Sequence, residues 1–179
     1  VAVEELVYSG LAASFATLTK TEKELGCVLV DIGGGTTSVA VFVDGGLCFS
    51  FVIPIGAKNV TNDLAIGLRV SLESSEKIKI AVSESKEGKR SKEVKVEDEL
   101  DLSNLGITET KRVSRKTLIE GIIKPRINEI FTMVRLSLER EKLTGHVPSG
   151  VILTGGGAET VGILESGRRM MALPVRIGE

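Results

Sequence analysis

The 179-residue sequence has almost no net charge: 23 Lys and Arg stand against 24 Asp and Glu, a formal balance of -1. That balance excludes a global field of the kind that recruits nucleic acid or an anionic membrane surface. Cysteine is scarce. Cys27 and Cys48 lack the CxxC spacing of a zinc or redox site and lie in apolar, strand-like runs, where both are expected to be reduced core residues. The single histidine, His146 in "TGHVPSG", has no second His, Cys or acid near it in sequence, which argues against a metal site there. No apolar run approaches the ~20 residues that span a bilayer. The N-terminal "VAVEELVYSG" has acids where a secretory signal needs bases, so a cytoplasmic location is expected. The absence of an initial methionine, and a last stretch "LPVRIGE" without a closing element, read as a fragment of something longer.

What is present has the length for a sizeable core, in one domain or two small lobes. Val3, Leu6, Val7, Leu11, Phe15 and Leu18 recur at helical spacing, which predicts an amphipathic helix over residues 3–20, and the polar "TKTEKELG" predicts a loop after it. "CVLVDI" is a continuous apolar run of strand length. "SVAVFV" puts Val39, Val41 and Val43 on one face, "DGG" at 44–46 supplies a hairpin turn, and "LCFSFVIPI" a third strand. The pattern is a β-meander, not a βαβ unit. From Asn59 to about Ile80 the helical pattern returns through Val60, Leu64, Leu68 and Leu72. Residues 83–101, "SESKEGKRSKEVKVEDELD", carry both charges and read as a solvated β-hairpin region. Ser114 is expected to cap the helical "RKTLIEGIIK" and Pro125 to break or kink it. A longer helix then buries the stripe Ile127, Ile130, Phe131, Val134 and Leu138. The final "SGVILTGGGAETVGILESGRRMMALPV" repeats an earlier theme: a buried strand, a triple glycine, then an amphipathic helix.

A glycine-rich turn after a buried strand lets backbone N–H groups converge on an anion with no side chain in the way. The first such turn, in "LVDIGGGTTSVAVFV", is not a Walker A loop, because no GK[ST] follows. Nor is it a Rossmann fingerprint, because it continues into an alternating strand instead of opening a helix. It offers Asp31 at a strand end, the amides of Gly33, Gly34 and Gly35, and the hydroxyls of Thr36 and Thr37. Amides and hydroxyls can donate to a β- or γ-phosphate, while the carboxylate can hold waters of Mg²⁺, which keeps much of its hydration shell. The second turn, Gly155, Gly156, Gly157 and Ala158, precedes a helix whose terminal amides suit the other end of a nucleotide. Singly, either turn is as compatible with a simple reversal of the chain. Together they predict a nucleotide cleft.

The order "DIGGGTT", "PIG…VTNDLA", "SEKIK" and "VILTGGGA" resembles the second half of the actin, Hsp70 and sugar-kinase ATPase fold. More closely, "LTKTEKELGCVLVDIGGGTTSVAVF", "VIPIGAKNVTNDLAIGLRVSLESSEKIKI", "GIIKPRINEIFTMV" and "LTGGGAETVGILE" are similar to segments of the bacterial FtsA cell-division family, across nearly the whole chain except its charged stretch. The resemblance implies an α/β, ribonuclease H-like architecture: subdomains 2A and 2B of an actin-like ATPase, a mixed sheet with flanking helices. Residues 1–22 would be the linking helix between the two halves of that fold, 23–69 and 149–179 the inner subdomain, and 70–148 the outer one. The implied ligands are ATP and Mg²⁺. Asp31 would stand at the metal through its waters and contribute to any slow hydrolysis, Gly33, Gly34, Gly35, Thr36 and Thr37 would form the phosphate loop, Glu76 would hold the ribose and Lys79 lie near the adenine. Gly155, Gly156, Gly157 and Ala158 would flank the α-phosphate and base. The implied partners are the C-terminal tail of the tubulin-like FtsZ, docked on the helix containing "PRINEIF" at Arg126, Asn128 and Glu129, further copies of the chain in actin-like filaments, and other divisome proteins. The implied place is the inner face of the cell membrane at the division site, reached through a membrane segment absent here.

Two positions depart from the family pattern: Ser38 stands where aspartate is usual, and Ala57 where a second glycine is common. The family's first phosphate loop, small inserted domain and C-terminal membrane helix are not in this sequence. Half a cleft would bind ATP weakly, since one wall of donors and of water exclusion is missing. Rival readings are an Hsp70-type or sugar-kinase fragment of the same fold, and an interaction module whose glycine turns are empty.

Overall fold

A computed structural model describes residues 2–84, 99–107 and 112–178. At the N-terminus the helix is shorter than its pattern: α1 covers Ser9–Thr17, and Val3, Leu6 and Val7 precede it, exposed. The "TKTEKELG" stretch expected as a loop is instead α2 (Lys20–Leu25). A capping box explains it. Thr19 Oγ1 accepts from the Glu22 amide at 3.2 Å, and Glu22 Oε2 accepts from the Thr19 amide at 2.8 Å. Residues 1–22 are therefore not one linking helix. Arg176 donates to both Glu22 carboxylate oxygens at 2.7 Å, fastening α2 to the last strand of the chain. These bonds hold the Glu22 carboxyl down at about 2.

The meander forms as expected. β1 (Cys27–Ile32), β2 (Thr37–Val43) and β3 (Gly46–Ile53) run antiparallel, with Asp44 and Gly45 in positive φ at the turn between β2 and β3. A separate pair, β4 (Glu99–Asp101) and β5 (Arg112–Ser114), is also antiparallel. β6 (Val151–Thr154) and β7 (Val175–Ile177) join the main sheet in parallel on the far side of β1, giving the order β3-β2-β1-β6-β7. β1 lies in the middle and is covered on both faces, which is why it reads as an unbroken apolar run. β3 is an edge strand and alternates. Its position corrects one expectation: Cys48 is exposed, whereas Cys27 is buried in the sheet, which pushes its thiol up to about 11.

On one face of the sheet Val28, Val30, Ile32, Val39 and Val41 enter the main core. Four helices supply much of the rest of it, α3 (Ala57–Leu68), α4 (Leu72–Glu84), α5 (Lys124–Arg140) and α6 (Ile163–Met171), with Leu118, Ile123, Val151 and Leu153 among the other contributors. The whole expected stripe of α5, from Ile127 to Leu138, is buried. Cys27, Leu29, Ala40, Phe42 and Ile152 face the other way, under Leu18, Leu11 and Tyr8 of the α1 region.

The helix expected from Asn59 to Ile80 is two. Arg69 closes α3 in the left-handed region at φ 56, and Ser71 Oγ caps α4 by accepting from the Ser74 amide at 3.0 Å. Pro125 causes a change of winding and not a break. Thr117–Ile123 is wound as a π-helix, Lys124 N–H donates to Ile119 O five residues back, and α5 follows directly. Ser114 caps this run as expected, accepting from the Thr117 amide at 3.1 Å. The expectation for residues 83–101 falls mostly on residues 85–98, outside the described residues. Among the described residues no helix is long and apolar enough to cross a membrane.

Candidate functional site

The first triple-glycine turn joins β1 to β2. Gly33 N–H donates to Thr36 O at 2.9 Å, and the start of α3 holds the turn from the side: the Ala57 and Lys58 amides donate to Gly33 O and Gly34 O at 2.9 and 2.8 Å. The loop carbonyls are thus occupied by helix amides. The amides of Gly34, Gly35 and Thr36 are left without a backbone acceptor among the described residues, and all three residues are exposed. Consecutive unpaired amides make an anion-binding concavity. Thr37 does not share in it. Its side chain is fully buried and its hydroxyl donates to Ile55 O at 2.8 Å, bracing the turn instead of facing outward.

Asp31 alternates with Val30 and Ile32, so it points to the face of Cys27 and Leu29, in register with Ser38 on β2 and Thr154 on β6. Burial pushes its carboxyl above the ordinary aspartate value, and no hydrogen-bond donor among the described residues offsets this. A half-buried carboxylate in that state gains from a nearby cation. It is one ligand only: among the described residues no three His, Cys, Asp or Glu side chains are grouped to cage a metal. The donor set fits Mg²⁺ held through water and does not fit a protein-caged ion.

The second triple-glycine turn leans on the end of β1. A Cβ at Gly155, whose φ is +81, would lie 2.4 Å from Asp31 Oδ1 and 2.6 Å from Ile32 O, and one at Gly157 would lie 2.3 Å from Ile32 Cγ2. Gly156–Glu159 closes as a 3-10 turn that buries Gly157 and Ala158 and exposes Gly156. The strand therefore does not run straight into α6, which begins only at Ile163. Val161 N–H donates to Ser83 Oγ of α4 at 3.1 Å and ties this turn to the next wall.

That wall carries Glu76 and Lys79, one helical turn apart. Lys79 Nζ donates to Glu76 Oε2 at 2.8 Å and to Thr61 Oγ1 of α3 at 3.1 Å, while Thr61 Oγ1 donates to the same carboxylate oxygen at 2.5 Å. Burial pushes the Glu76 carboxyl up, but the bonds from Lys79 and Thr61 and the charges of Lys79 and Lys58 outweigh it, leaving a carboxylate below its ordinary range. Gly33, Gly34, Lys58, Glu76, Lys79, Gly156, Gly157 and Glu159 line one cleft of about 540 Å³. The fold thus brings both turns and the "SEKIK" residues together, with Asp31 behind Gly155 and Thr37 turned inward. Sequence reasoning missed Thr61, Lys58 and Glu159. For Lys58 a signal existed: a cation in the first turn of a helix runs against the helix dipole.

The three residues expected at a partner surface do not form one patch. Arg126 makes a bidentate pair with Asp63 of α3, at 2.6 and 2.9 Å, and donates to Glu129 at 2.5 Å. The pair closes a groove of about 380 Å³ that also includes Ile66, Ile122 and Pro125. Asn128 lies elsewhere, accepting from Arg169 of α6 at 3.1 Å.

In solved structures the fold is similar to MreB5 of Spiroplasma citri bound to ADP, with TM-score 0.74 and 21% identity over 95% of this chain and 54% of that one. It is also similar to the archaeal actin homolog Ta0583, with TM-score 0.63 and 18% identity over 93% of this chain and 47% of that one. The architecture is accordingly the actin-like one, a mixed sheet flanked by helices. In sequence the chain is 37% identical over 178 residues to the cell division protein FtsA of Pseudomonas aeruginosa, covering 98% of this chain and 41% of that protein. It is 35% identical over 176 residues to that of Bacillus subtilis, covering 98% and 38%. The chain therefore spans about two fifths of the length of the curated relatives it matches. The family model "Cell division protein FtsA" matches residues 28–179, and the chain belongs to the FtsA cell-division protein family.

Proposed function

We propose that this chain supplies one wall of an ATP cleft in an actin-like cell-division protein. The observation that carries the reading is the convergence of two triple-glycine turns, far apart in sequence, with Glu76 and Lys79 on a single cleft. The unpaired amides of Gly34, Gly35 and Thr36 suit phosphate oxygens. The Glu76 oxygen left over from the Thr61 and Lys79 bonds suits a ribose hydroxyl, Lys79 would lie near the adenine, and Gly155, Gly156, Gly157 and Ala158 would flank the α-phosphate and base. Asp31 would hold Mg²⁺ through its waters, and the ion, when bound, neutralises phosphate charge. MreB5 of Spiroplasma citri, solved with ADP and with AMPPNP, supports a nucleotide by likeness of fold. Residues 23–69 with 149–179 would form the inner subdomain and 70–148 the outer one, the opposite wall coming from the part of the family's length not in this chain. Titrating Mg·ATP into the full-length protein by calorimetry tests the reading. Saturable binding weakened by Asp31→Ala is expected, and no binding by either protein overturns it.

The same reading takes the protein as a filament-forming tether that links the FtsZ ring to the membrane through a segment outside this chain, with any ATP hydrolysis slow. The FtsZ C-terminal tail would enter the groove closed by Asp63 and Arg126, where Ile66 offers exposed apolar surface and a peptide carboxylate would compete for the guanidinium. A labelled FtsZ C-terminal peptide should bind saturably by fluorescence anisotropy and lose affinity with Arg126→Ala and with Ile66→Glu. Equal binding to both variants would remove this groove from the reading.

A further inference from the structure

Lys58 is not accounted for by the fold. It occupies the second position of α3, where the helix dipole disfavours a cation and favours an anion. Among the described residues no hydrogen bond or ion pair holds its ammonium, which acts on Glu76 only through its charge. Its stem lies over the first glycine turn: a Cβ built on Gly34 would be 3.4 Å from Lys58 Cε and 3.7 Å from Cδ. The side chain thus runs along Gly34 and lines the same cleft as Gly33 and Gly34.

The charges around the cleft sharpen the point. Its lining contains the carboxylates of Glu76, Glu84 and Glu159 and the ammoniums of Lys58 and Lys79. Lys79 is already committed to Glu76 and Thr61. Among the described residues Lys58 makes no such bond, and its charge, felt by Glu76 across the cleft, stays available to an incoming anion. Breaks of a local helix rule are expected at functional sites, and a phosphate bound on the loop amides would compensate both the ammonium and the helix terminus.

We propose that Lys58 is a phosphate-neutralising residue of the cleft, bonding the anionic end of the bound nucleotide. The inference rests on the nucleotide reading above and adds to it the residue that selects for phosphate charge. The backbone of Lys58 orients the loop by bonding Gly34 O, and its side chain meets what the loop binds.

The test is Mg·ATP affinity of the full-length protein, with Lys58→Ala and Lys58→Arg beside the wild type, and thermal melting of each without nucleotide. A charge-assisted bond lost in Lys58→Ala should weaken ATP by about tenfold. Lys58→Arg should recover most of the affinity, and the melting temperatures should coincide. Wild type that binds ATP while Lys58→Ala stays within about twofold of it overturns the role of Lys58 and leaves the cleft reading standing. Equal weakening in both variants, or lowered melting without nucleotide, makes Lys58 a merely structural residue and also overturns it. Wild type that binds no ATP overturns both.

Discussion

The two triple-glycine turns look alike in sequence, but glycine is required for different reasons in each. At 155–157 the neighbouring protein demands it: a Cβ at Gly155 or Gly157 would stand 2.3–2.6 Å from atoms of Asp31 and Ile32. At 33–35 the protein demands far less. A Cβ at Gly35 would meet nothing within 4 Å, one at Gly34 only the flexible Lys58 stem at 3.4 Å and one at Gly33 the Thr36 carbonyl at 3.1 Å, and none of the three has positive φ. The second turn is glycine so that β6 can approach β1. The first leaves open surface beside unpaired amides, which is room the fold itself does not use.

Substitutions can break or sharpen that contrast. The largest effect is expected from Gly157→Ala, which forces a methyl into Ile32 and should destabilise by on the order of 3 kcal/mol, read as a lower urea midpoint. Gly35→Ala should stay within about 0.5 kcal/mol of the wild type in the same measurement. It should nevertheless weaken Mg·ATP by about tenfold, because its methyl stands among the phosphate-facing amides. If Gly35→Ala destabilises as much as Gly157→Ala, the contrast fails. Thr37→Val removes the hydroxyl that braces the first turn against Ile55 O and should cost about 1 kcal/mol, with the midpoint again as readout.

A last prediction concerns Glu22→Gln, remote from both turns. Glu22 titrates near 2 in the folded chain against an ordinary 4.5, so its pairing with Arg176 stabilises fully above pH 4.5 and is lost as the pH falls toward 2. The melting-temperature gap between wild type and Glu22→Gln should therefore be full at neutral pH and close on acidification. A gap that widens below pH 4.5 would contradict the pairing.

Much of the fold was legible residue by residue. The meander and the buried stripe of α5 are short-range periodicities, and the side chains at those positions are buried as their spacing requires. α2 was legible too, through its T-x-x-E capping box, but the polar surface of "TKTEKELG" disguised it. The split between α3 and α4 turns on one residue, Arg69, in a left-handed conformation that its side chain does not announce. Cys48 sits in a run as apolar as that of Cys27, and its exposure follows only from the edge position of β3. At the site, the glycine turns, Glu76 and Lys79 could be named in advance. That Thr37 is spent on Ile55, that Arg126 is spent on Asp63, and that Lys58 makes no hydrogen bond or ion pair among the described residues could not.

The sequence by itself determined the family, the strand order along the meander and the two turns, because periodicity, turn chemistry and motif order are carried by neighbours along the chain. The tertiary structure alone decided how the turns meet and which polar groups remain for a ligand. A hydrogen bond is made with whatever donor or acceptor comes within about 3 Å. For Thr37, Arg126 and Lys79 those partners come from segments brought together by packing against one sheet.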